Sequence, residues 1–320
     1  WGALSGLVAD RSQSDRLYAV PDSYYKASRI FSIDTSQTPA LIDRQIELRK
    51  AGTSVDYDLE GIAQASNGDF WLASEGNGKA RPNLLIHANA RGEVLDEFAL
   101  PAEVAAQQTS NGFEGVAVVG EGASTRVYVA FQREWKNDPA GRVRIGVFNP
   151  GTGEWGFIHY PLDAAAEGGW VGLSELTSIG NGQFLVIERD NGEGDPSLAC
   201  AEGATDKSAC YPVPARVKKV VLVDTSRIDD EGFIHRIAHI DLMDIDDPDG
   251  KAILETDADR DLTGKFTFPF FTIEDVMLYD DGHILVANDN NLPFSAGRRI
   301  GEAANNEFIL LEVGGFLAAR

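Results

Sequence analysis

Acidic residues recur at the start of a repeated segment of the sequence. Glu60, Glu114, Glu175 and Glu274 each precede a short apolar run, and Ser5 occupies the same place in an earlier copy. If the copies surround one axis, the four carboxylates converge and repel each other unless a cation or protons compensate their charge. Oxygen ligands suit Ca²⁺, so the pattern predicts a calcium site. The alternative is a structural role, in which each glutamate accepts hydrogen bonds from backbone N–H groups of a neighbouring repeat.

Polar residues follow the second apolar run of each copy and supply candidates for acid–base and anion-binding chemistry. Glu75 and Glu188 are the candidate general bases, because neighbouring charges can raise the pKa of a carboxylate toward neutrality. Arg133 and Arg189 are the candidates to neutralise developing negative charge on a substrate. The alternative is a ring of salt bridges between the repeats.

The last copy ends in a polar run that continues into a loop. Asn288 and Asp289 are predicted as further metal ligands, because they follow the strand that pairs with the segment of Glu274. Asn290, Arg298 and Arg299 are predicted to bind substrate from the same end of the molecule.

These side chains are positioned by β-hairpins. The repeated segments begin near Ser5, Glu60, Glu114, Glu175 and Glu274, at spacings of 55, 54, 61 and 99 residues. Asn-Gly or Asp-Gly separates two apolar runs in three copies, which is a strong hairpin signal. Two further strand-like runs follow in most copies, and four strands per repeat of about this length are typical of a propeller blade.

The fold predicted is therefore all-β, a single β-propeller over residues 1–320. We count five blades, although the spacing of 99 residues leaves room for a sixth. The last repeat shows three strands, so a terminal strand is expected to close the ring. Two insertions account for most of the long spacing, at residues 191–216 and 243–269.

The insertions carry cysteines and acidic residues. Cys200 and Cys210 have nine residues between them, which suits a disulfide that closes a surface loop, with two free thiols as the alternative. A disulfide predicts a periplasmic or secreted location. In the second insertion, Asp257, Asp259 and Asp261 have the spacing that begins many calcium loops. The following residues depart from the EF-hand pattern, so a solvated acidic loop is favoured.

Composition excludes several classes of partner. The chain of 320 residues has a formal net charge of −22, which argues against nucleic acid and anionic membranes as partners. No run of 18 apolar residues occurs, so no membrane span is expected. The chain begins with Trp1, which predicts that any signal peptide has been removed. No serine-hydrolase elbow, phosphate loop or dinucleotide fingerprint is present, and we expect a monomer without an organic cofactor.

The repeats resemble a family known as "esterase-like activity of phytase". The most specific stretches are LEGIA with SEG (Leu59–Gly76), GFEGVAV (Gly112–Val118), SEL with LVIERDN (Ser174–Asn191), and FTFPFFTIEDVMLYDDGHILVANDNNLPFSAGR followed by NNEFILLEV. The resemblance covers nearly the whole chain and implies a secreted or periplasmic, calcium-favouring propeller that hydrolyses phosphate or carboxylic esters. The chain has fewer lysines and arginines at the predicted mouth than well-defined propeller phytases, which favours a phosphoester smaller than phytate.

The sequence thus predicts a calcium-dependent hydrolase of a small-molecule ester, in particular a phosphoester. Two alternatives remain open. One is a lactonase-type propeller with a single calcium ion, and the other is a non-enzymatic propeller of the cell envelope whose loops bind a partner.

Overall fold

The computed structural model describes residues 2–77, 81–166, 169–253 and 264–319. Within these ranges the chain is a ring of five antiparallel sheets, as the sequence predicts. The candidate calcium loop of Asp257, Asp259 and Asp261 lies outside the described residues.

Four of the sheets are consecutive four-stranded meanders. The first blade contains strands β1 to β4: Leu4–Ala9, Arg16–Pro21, Arg29–Asp34 and Leu41–Glu47. The second contains β7 to β10, after a short hairpin of β5 and β6: Arg49–Lys50 and Thr53–Ser54, then Leu59–Gln64, Phe70–Ser74, Leu84–Ala88 and Val94–Ala99. The third contains β11 to β14, after helix α1 (Ala102–Ala105): Phe113–Val119, Arg126–Phe131, Arg142–Asn149 and Glu154–Pro161.

The fourth and fifth blades are separated by the acidic insertion. The fourth contains β15 to β18: Val171–Gly180, Gln183–Asp190, Lys218–Ile228 and Ile234–Asp241. The insertion contributes a two-stranded sheet of β19 and β20: Ile245–Asp246 and Lys265–Phe266. The fifth contains β21 to β23, followed by helix α2: Thr272–Asp280, His283–Asp289 and Phe308–Glu312, then Gly314–Leu317.

Local turn chemistry sets the register of the hairpins. Gly180 pairs with Gln183 across a two-residue loop, and Asn181 and Gly182 have φ angles of 54° and 78°. This is the mirror-image turn whose twist matches that of the flanking strands. The hairpin signal in the sequence is therefore confirmed at this blade, and the strand that follows the turn ends at the polar residues of the predicted site.

The inner strands close the ring. β1 packs against β7, β7 against β11, β11 against β15, β15 against β21, and β21 against β1. The long spacing before the last repeat is filled by the insertions, so the blades number five. No fourth strand of the fifth blade is found among the described residues, and the ring closes there through contact between two inner strands instead of a shared terminal strand.

The core consists of apolar faces pressed between neighbouring blades. The cluster between the second, third and fourth blades contains aliphatic side chains and several aromatic ones, among them the buried Phe113, Phe131 and Trp135. Around the fourth and fifth blades, Phe266, Phe268 and Phe270 pack against the strand pairs β16–β17 and β21–β22. This packing fixes the inner strands, whose polar residues face the axis.

The insertion of residues 191–216 lies against the loop that follows β22. Cys200 and Cys210 form a disulfide, as predicted. The Tyr211 hydroxyl donates to the carbonyl oxygen of Ala296 at 2.8 Å, which joins the two loops. No helix in the described ranges has the length and hydropathy of a membrane span.

Candidate functional site

One residue bulges from each inner strand where it pairs with the second strand of its blade. Pairing shifts by one residue between Leu4 and Gly6, and the same irregularity recurs in the other four blades. The bulged position is occupied in chain order by Ser5, Glu60, Glu114, Ser174 and Glu274. A bulge re-aims a side chain, and here it turns one polar residue per blade away from the ladder.

The register corrects the alignment of the fourth repeat. Leu173 pairs with Glu188 and Glu175 pairs with Ile187, so the bulged residue is Ser174. Glu175 therefore takes the next position, which glycine occupies in the first three blades. The sequence alignment was wrong by one residue because both Ser174 and Glu175 satisfy a pattern of one polar residue before an apolar run.

The position after the bulge is where neighbouring inner strands approach most closely. A Cβ atom on Gly61 would lie 2.6 Å from the Glu114 carbonyl oxygen, and one on Gly115 would lie 2.2 Å from the Leu176 nitrogen. Backbone contact between the blades therefore requires glycine at positions 61 and 115. The last two blades carry Glu175 and Asp275 instead, and both side chains are 1% exposed.

Three bulged glutamates share one space at the axis. Glu60 of the second blade, Glu114 of the third and Glu274 of the fifth act on one another electrostatically although they belong to different sheets. Burial, and then the neighbouring carboxylates, raises the pKa of Glu60 and of Glu114 well above the ordinary value. These three glutamates of the predicted set thus influence one another across the blades, and protons, Arg189 or a cation must compensate their negative charge.

Arg189 is the cation within this group. Its Nη2 donates to Oε1 of Glu274 at 3.1 Å, and its side chain is 2% exposed. Its guanidinium carbon lies 5.3 Å from the Trp170 ring centroid and 5.7 Å from that of Phe271. Neither Nε nor Nη1 has a hydrogen-bond partner among the described residues. A buried guanidinium with two nitrogens unbonded is suited to donate hydrogen bonds to an oxyanion.

Arg133 lies beside the same indole ring. Its guanidinium carbon is 5.1 Å from the Trp170 centroid, and its Nε is buried and without a hydrogen-bond partner in the described part of the chain. Glu134 is the nearest carboxylate, with 3.8 Å between its Oε2 and that Nε. Arg133 and Arg189 come from the third and fourth blades, so the structure brings both predicted anion-binding residues to one seam.

Glu75 directly follows the second strand of the second blade and interacts electrostatically with Glu274 and Arg189. Its Oε1 accepts a hydrogen bond from the Gly112 nitrogen at 3.1 Å, and the side chain is half-buried. Burial raises the pKa of Glu75 to about 7, the Gly112 hydrogen bond opposes that rise, and Asp58 and Glu274 add to it. A carboxyl that titrates near neutrality has the property that a general base needs.

Glu188 faces away from this site. Successive residues of a strand point to opposite faces, so Glu188 lies on the other side of β16 from Arg189. Its Oε2 is 3.4 Å from Nη1 of Arg236, and Tyr160 and Asp163 of the third blade are its other neighbours. The structure therefore places the two candidate general bases apart, with Glu75 beside the axial carboxylates and Glu188 between two blades.

The polar residues at the end of β22 and directly after it bind the backbone of neighbouring segments. Asn288 accepts from the Glu307 nitrogen at 2.6 Å and donates to the Asn305 carbonyl, while Asn290 accepts from the Ala3 nitrogen at 2.9 Å. The Asp289 carboxylate accepts from the Ser5 hydroxyl and the Asn291 nitrogen. The contacts of Asp289 with Ser5 and of Asn290 with Ala3 join the last blade to the first, while those of Asn288 stay within the last blade.

The two arginines predicted to bind substrate are engaged in ion pairs. Arg298 makes a bidentate pair with Glu307, at 3.0 and 2.7 Å, and also donates to the Thr267 carbonyl oxygen. Arg299 pairs with Glu302 at 3.1 Å. Neither is grouped with Arg189 in the contacts that the structure describes.

The axial carboxylates suit a metal ion by their chemistry but not by their arrangement. The axial carboxylates offer only oxygen atoms, which suits Ca²⁺. Across residues 2–77, 81–166, 169–253 and 264–319, however, no group of three or more His, Cys, Asp or Glu side chains is arranged to hold a metal ion. Gln132 donates to Glu114 at 2.7 Å and Arg189 donates to Glu274, so each of these carboxylates has one oxygen engaged. Calcium binding would therefore require these side chains to turn.

Sequence reasoning missed Ser174, Asp275 and Trp170. The first two follow from aligning the inner strands as LSGL, LEGI, FEGV, LSEL and IEDV, where the third letter is the close-contact position. Asp275 is 1% exposed and both carboxylate oxygens are without hydrogen-bond partners among the described residues. Trp170 precedes the repeat and gives no periodic signal.

Comparisons with known proteins give a family match over most of the chain and distant similarities to solved structures. A family model described as "Phytase-like: Esterase-like activity of phytase" matches residues 1–292. A comparison with curated proteins gives no match. Among solved structures, an α-L-arabinanase of Penicillium chrysogenum in complex with arabinobiose is 11% identical, with a TM-score of 0.42 and coverage of 97% of each chain.

Two further solved structures are larger than this chain. The Dos1 propeller is 12% identical with a TM-score of 0.41, and the match covers 98% of this chain and 59% of that one. An apocarotenoid oxygenase mutant of Synechocystis is 9% identical with a TM-score of 0.40, and the match covers 99% of this chain and 58% of that one. This chain therefore spans a little less than three-fifths of the length of either protein.

Proposed function

The chain belongs to the phytase-like family, and from this premise we propose that it hydrolyses a small phosphoester at the axial end of its channel. The observation that carries the proposal is Arg189, a buried guanidinium with Nε and Nη1 unbonded among the described residues, set beside carboxylates from three blades. An oxyanion bound there completes the hydrogen bonding of Arg189 and lies next to groups that can exchange protons.

Two arginines would bind the substrate. Arg189 and Arg133 both lie over Trp170, at 5.3 and 5.1 Å from its ring centroid, and in this proposal their guanidinium groups bind one phosphoryl group or its immediate substituent. Guanidinium groups bind phosphoryl oxygens strongly and stabilise the negative charge that develops as the ester bond breaks. Glu274 and two aromatic rings hold Arg189 in place, and because its side chain is only 2% exposed, neighbouring side chains must move aside to admit the substrate.

Glu75 would act as the general base. In this step the Glu75 carboxylate takes a proton from water, the water oxygen forms a bond to phosphorus, and the ester P–O bond breaks. The alcohol oxygen of the leaving group then takes up a proton from the site or from solvent, and inorganic phosphate remains. Glu75 is suited to this step because its half-buried carboxyl has one oxygen fixed by Gly112 and a pKa of about 7.

Calcium is part of the proposal. Glu60, Glu114 and Glu274 would hold the ion once their side chains turn, with Asp289 as a further ligand, and the proposal is supported by the mutual repulsion of these buried carboxylates. When bound, a calcium ion would polarise a phosphoryl oxygen and lower the pKa of a bound water. We further propose a periplasmic or secreted location, since the chain carries a disulfide.

The test is steady-state hydrolysis of a panel of phosphomonoesters, phosphodiesters, carboxylic esters and lactones, with calcium and with chelator. We expect turnover of a phosphoester that falls at least about a hundredfold in Arg189→Met, the loss typical of removing one transition-state donor. Turnover of lactones alone, or phosphoester turnover unaffected by Arg189→Met, would contradict the proposal.

A second candidate is a propeller that binds a partner without catalysis. It is favoured by the hydrogen bonds of Glu175, whose Oε1 accepts from the Leu176 nitrogen at 2.6 Å, and of Glu75, which accepts from Gly112. Backbone-bonded glutamates are what a purely structural ring would contain. Absence of hydrolysis across the whole panel, with and without calcium, would favour this candidate.

A further inference from the structure

Trp170 occupies a place that no motif in the sequence explains. It precedes β15 at the seam between the third and fourth blades, and its side chain is partly buried. The guanidinium carbon of Arg133, from the third blade, lies 5.1 Å from its ring centroid, and that of Arg189, from the fourth, lies 5.3 Å away. One indole thus contacts both arginines of the candidate anion site.

The backbone around Trp170 is fixed from two sides. Its nitrogen donates to Oδ1 of Asn191 at 2.8 Å, and its carbonyl oxygen accepts from the Asn191 nitrogen at 3.1 Å. A Cβ atom on Gly172 would lie 3.1 Å from the Trp170 ring and 3.2 Å from Cγ of Arg133, so this glycine leaves the ring and the arginine stem room to pack together. The ring therefore has a defined position relative to both arginines.

The electrostatics explain why a ring is needed. Two like-charged guanidinium groups lie about 5 Å from one ring centroid, and Glu274 is the bonded counter-ion of Arg189 among the described residues. The face of an indole attracts cations and is the strongest of the natural aromatic rings in doing so. It stabilises the guanidinium groups without taking up their N–H donors, as a carboxylate would. Nε and Nη1 of Arg189 and Nε of Arg133 are unbonded among the described residues.

We propose that Trp170 is a positioning residue, which holds Arg133 and Arg189 together as a single binding unit for a phosphate-type oxyanion. The inference rests on the proposed function for the identity of the oxyanion as the substrate's phosphoryl group. Trp170 contacts the arginines and transfers no proton or electron, so its removal weakens binding of the oxyanion more than it slows the chemical step.

The experiment measures the affinity of the intact chain for inorganic phosphate by titration calorimetry, in buffer that contains calcium. The variants are Trp170→Leu, which fills space without a π-face, and Trp170→Phe, which keeps a smaller one. Trp155→Leu is the matched control, because Trp155 is also an indole packed on other side chains. It lies in the outer strand of the third blade, where it packs on Phe113 and Phe148 and its indole donates to the Ala99 carbonyl oxygen.

We expect Trp170→Leu to weaken phosphate binding about tenfold or more and Trp170→Phe to restore most of the loss, as cation–π energies at a desolvated site imply. Trp155→Leu should lower Tm and leave phosphate affinity unchanged. KM for a phosphoester should rise in Trp170→Leu with kcat changed by a smaller factor. If the role of Trp170 is only structural, Trp170→Leu will have a lower Tm but the same phosphate affinity and the same KM as the unmodified chain.

The outcomes separate this inference from the proposed function. If Arg189→Met loses phosphate and Trp170→Leu does not, the positioning role is wrong and the anion site stands. If the unmodified chain binds no phosphate, both are wrong. Should Trp170→Leu fail to fold, indole fluorescence gives a second test. Phosphate must then change the emission of the unmodified chain and must not change that of Trp170→Phe. An equal change in both would overturn the inference.

Discussion

Nη2 of Arg189 lies 3.1 Å from Oε1 of Glu274, in an ion pair that joins the second strand of the fourth blade to the inner strand of the fifth. Both side chains are nearly inaccessible to solvent, at 2% and 7% exposure. Burial raises the pKa of Glu274 and Arg189 opposes that rise. The pair therefore has two consequences, one for the stability of the ring and one for the charge of the channel.

Breaking this pair from one side should destabilise the protein. We expect Arg189→Met to lower the free energy of unfolding by about 3–5 kcal/mol, because a buried carboxylate is left without its partner. The double variant Arg189→Met with Glu274→Gln should recover part of that loss, since no lone charge remains. Urea unfolding at neutral pH measures both. A double variant less stable than the sum of the two single changes would show that the pair is not the main interaction.

Glu188 predicts a dependence of stability on pH. Burial raises its pKa to about 7, Arg236 opposes the rise, and the unfolded chain titrates near the ordinary value. The contribution of Glu188 to stability is thus fully present below the unfolded pKa and is lost as pH rises through about 7. We expect Glu188→Gln to stabilise the fold by on the order of 2–3 kcal/mol at pH 8 and by little at pH 5.

The control for that change is Glu202→Gln, on an exposed residue of the disulfide loop. Urea unfolding at the two pH values should give the same free energy for Glu202→Gln and the unmodified chain. If Glu188→Gln destabilises at pH 8, the ion pair with Arg236 outweighs the cost of burial, and the sign given above is wrong.

The repeat pattern was sufficient to predict the ring, since alternating apolar runs and Asn-Gly turns determine hairpins locally. It also predicted that glutamates of different repeats share one space, as Glu60 and Glu114 do. It failed at Ser174 and Glu175, because both residues are polar and the pattern of polar and apolar residues therefore does not show which of them is the bulged residue. The register became visible only from the strand pairing.

The face of a strand to which a side chain points was harder to predict than the strand to which it belongs. Glu188 and Arg189 are adjacent and were both assigned to the channel, yet a strand sends neighbours to opposite faces. Asn288 is predicted as a metal ligand and Arg298 as a substrate-binding residue from their positions after a strand, and the structure shows both bonded to Glu307. Long-range partners of this kind have no local signal. Trp170 was missed for the same reason.

The close approach of the inner strands predicts that Gly61 tolerates no side chain. A Cβ atom there would lie 2.6 Å from the Glu114 carbonyl oxygen and 2.9 Å from the Val116 nitrogen, and backbone atoms cannot move aside as a flexible side chain can. We expect Gly61→Ala to destabilise by about 3 kcal/mol or more, as overpacking of this severity does. Thermal unfolding measures it.

Gly315→Ala is the matched control, because nothing lies within 4 Å of a Cβ atom built there. It should change Tm by at most a degree or two, in either direction. Equal Tm values for the two alanine variants would show that the blades can separate without cost at the level of the bulges, and the account of glycine at this position would fail.

Calcium should raise the Tm of the chelated protein if the axial carboxylates bind it, because a ligand that binds only the folded state stabilises it. Glu114→Gln should raise the Tm of the calcium-free protein by removing a buried charge, and should weaken the response to calcium. These opposite effects distinguish a ligand from a merely buried carboxylate. Thermal scans with EDTA and with added Ca²⁺ measure both, and Glu202→Gln should respond to calcium as the unmodified chain does. No response of the unmodified chain would assign the glutamates to a structural role.

Glu75 predicts the pH profile of the reaction. The base must be ionised to take a proton, and burial raises the pKa of Glu75 to about 7. The value of kcat/KM should therefore fall as pH drops below about 7 and should reach a plateau above it. Glu75→Gln should lower kcat by about 10²–10⁴-fold, the range of general base catalysis, and should remove this limb of the profile.

The control for Glu75 is Glu188→Gln, since Glu188 titrates in the same range but faces the seam between two blades. Its kcat/KM profile should keep the limb near pH 7, while its stability profile changes as described above. If Glu188→Gln removes the fall of kcat/KM below pH 7 and Glu75→Gln keeps it, the general base is Glu188 at the seam between two blades and not Glu75 at the axis. Because the two carboxyls have similar pKa values, only the paired variants can distinguish these routes.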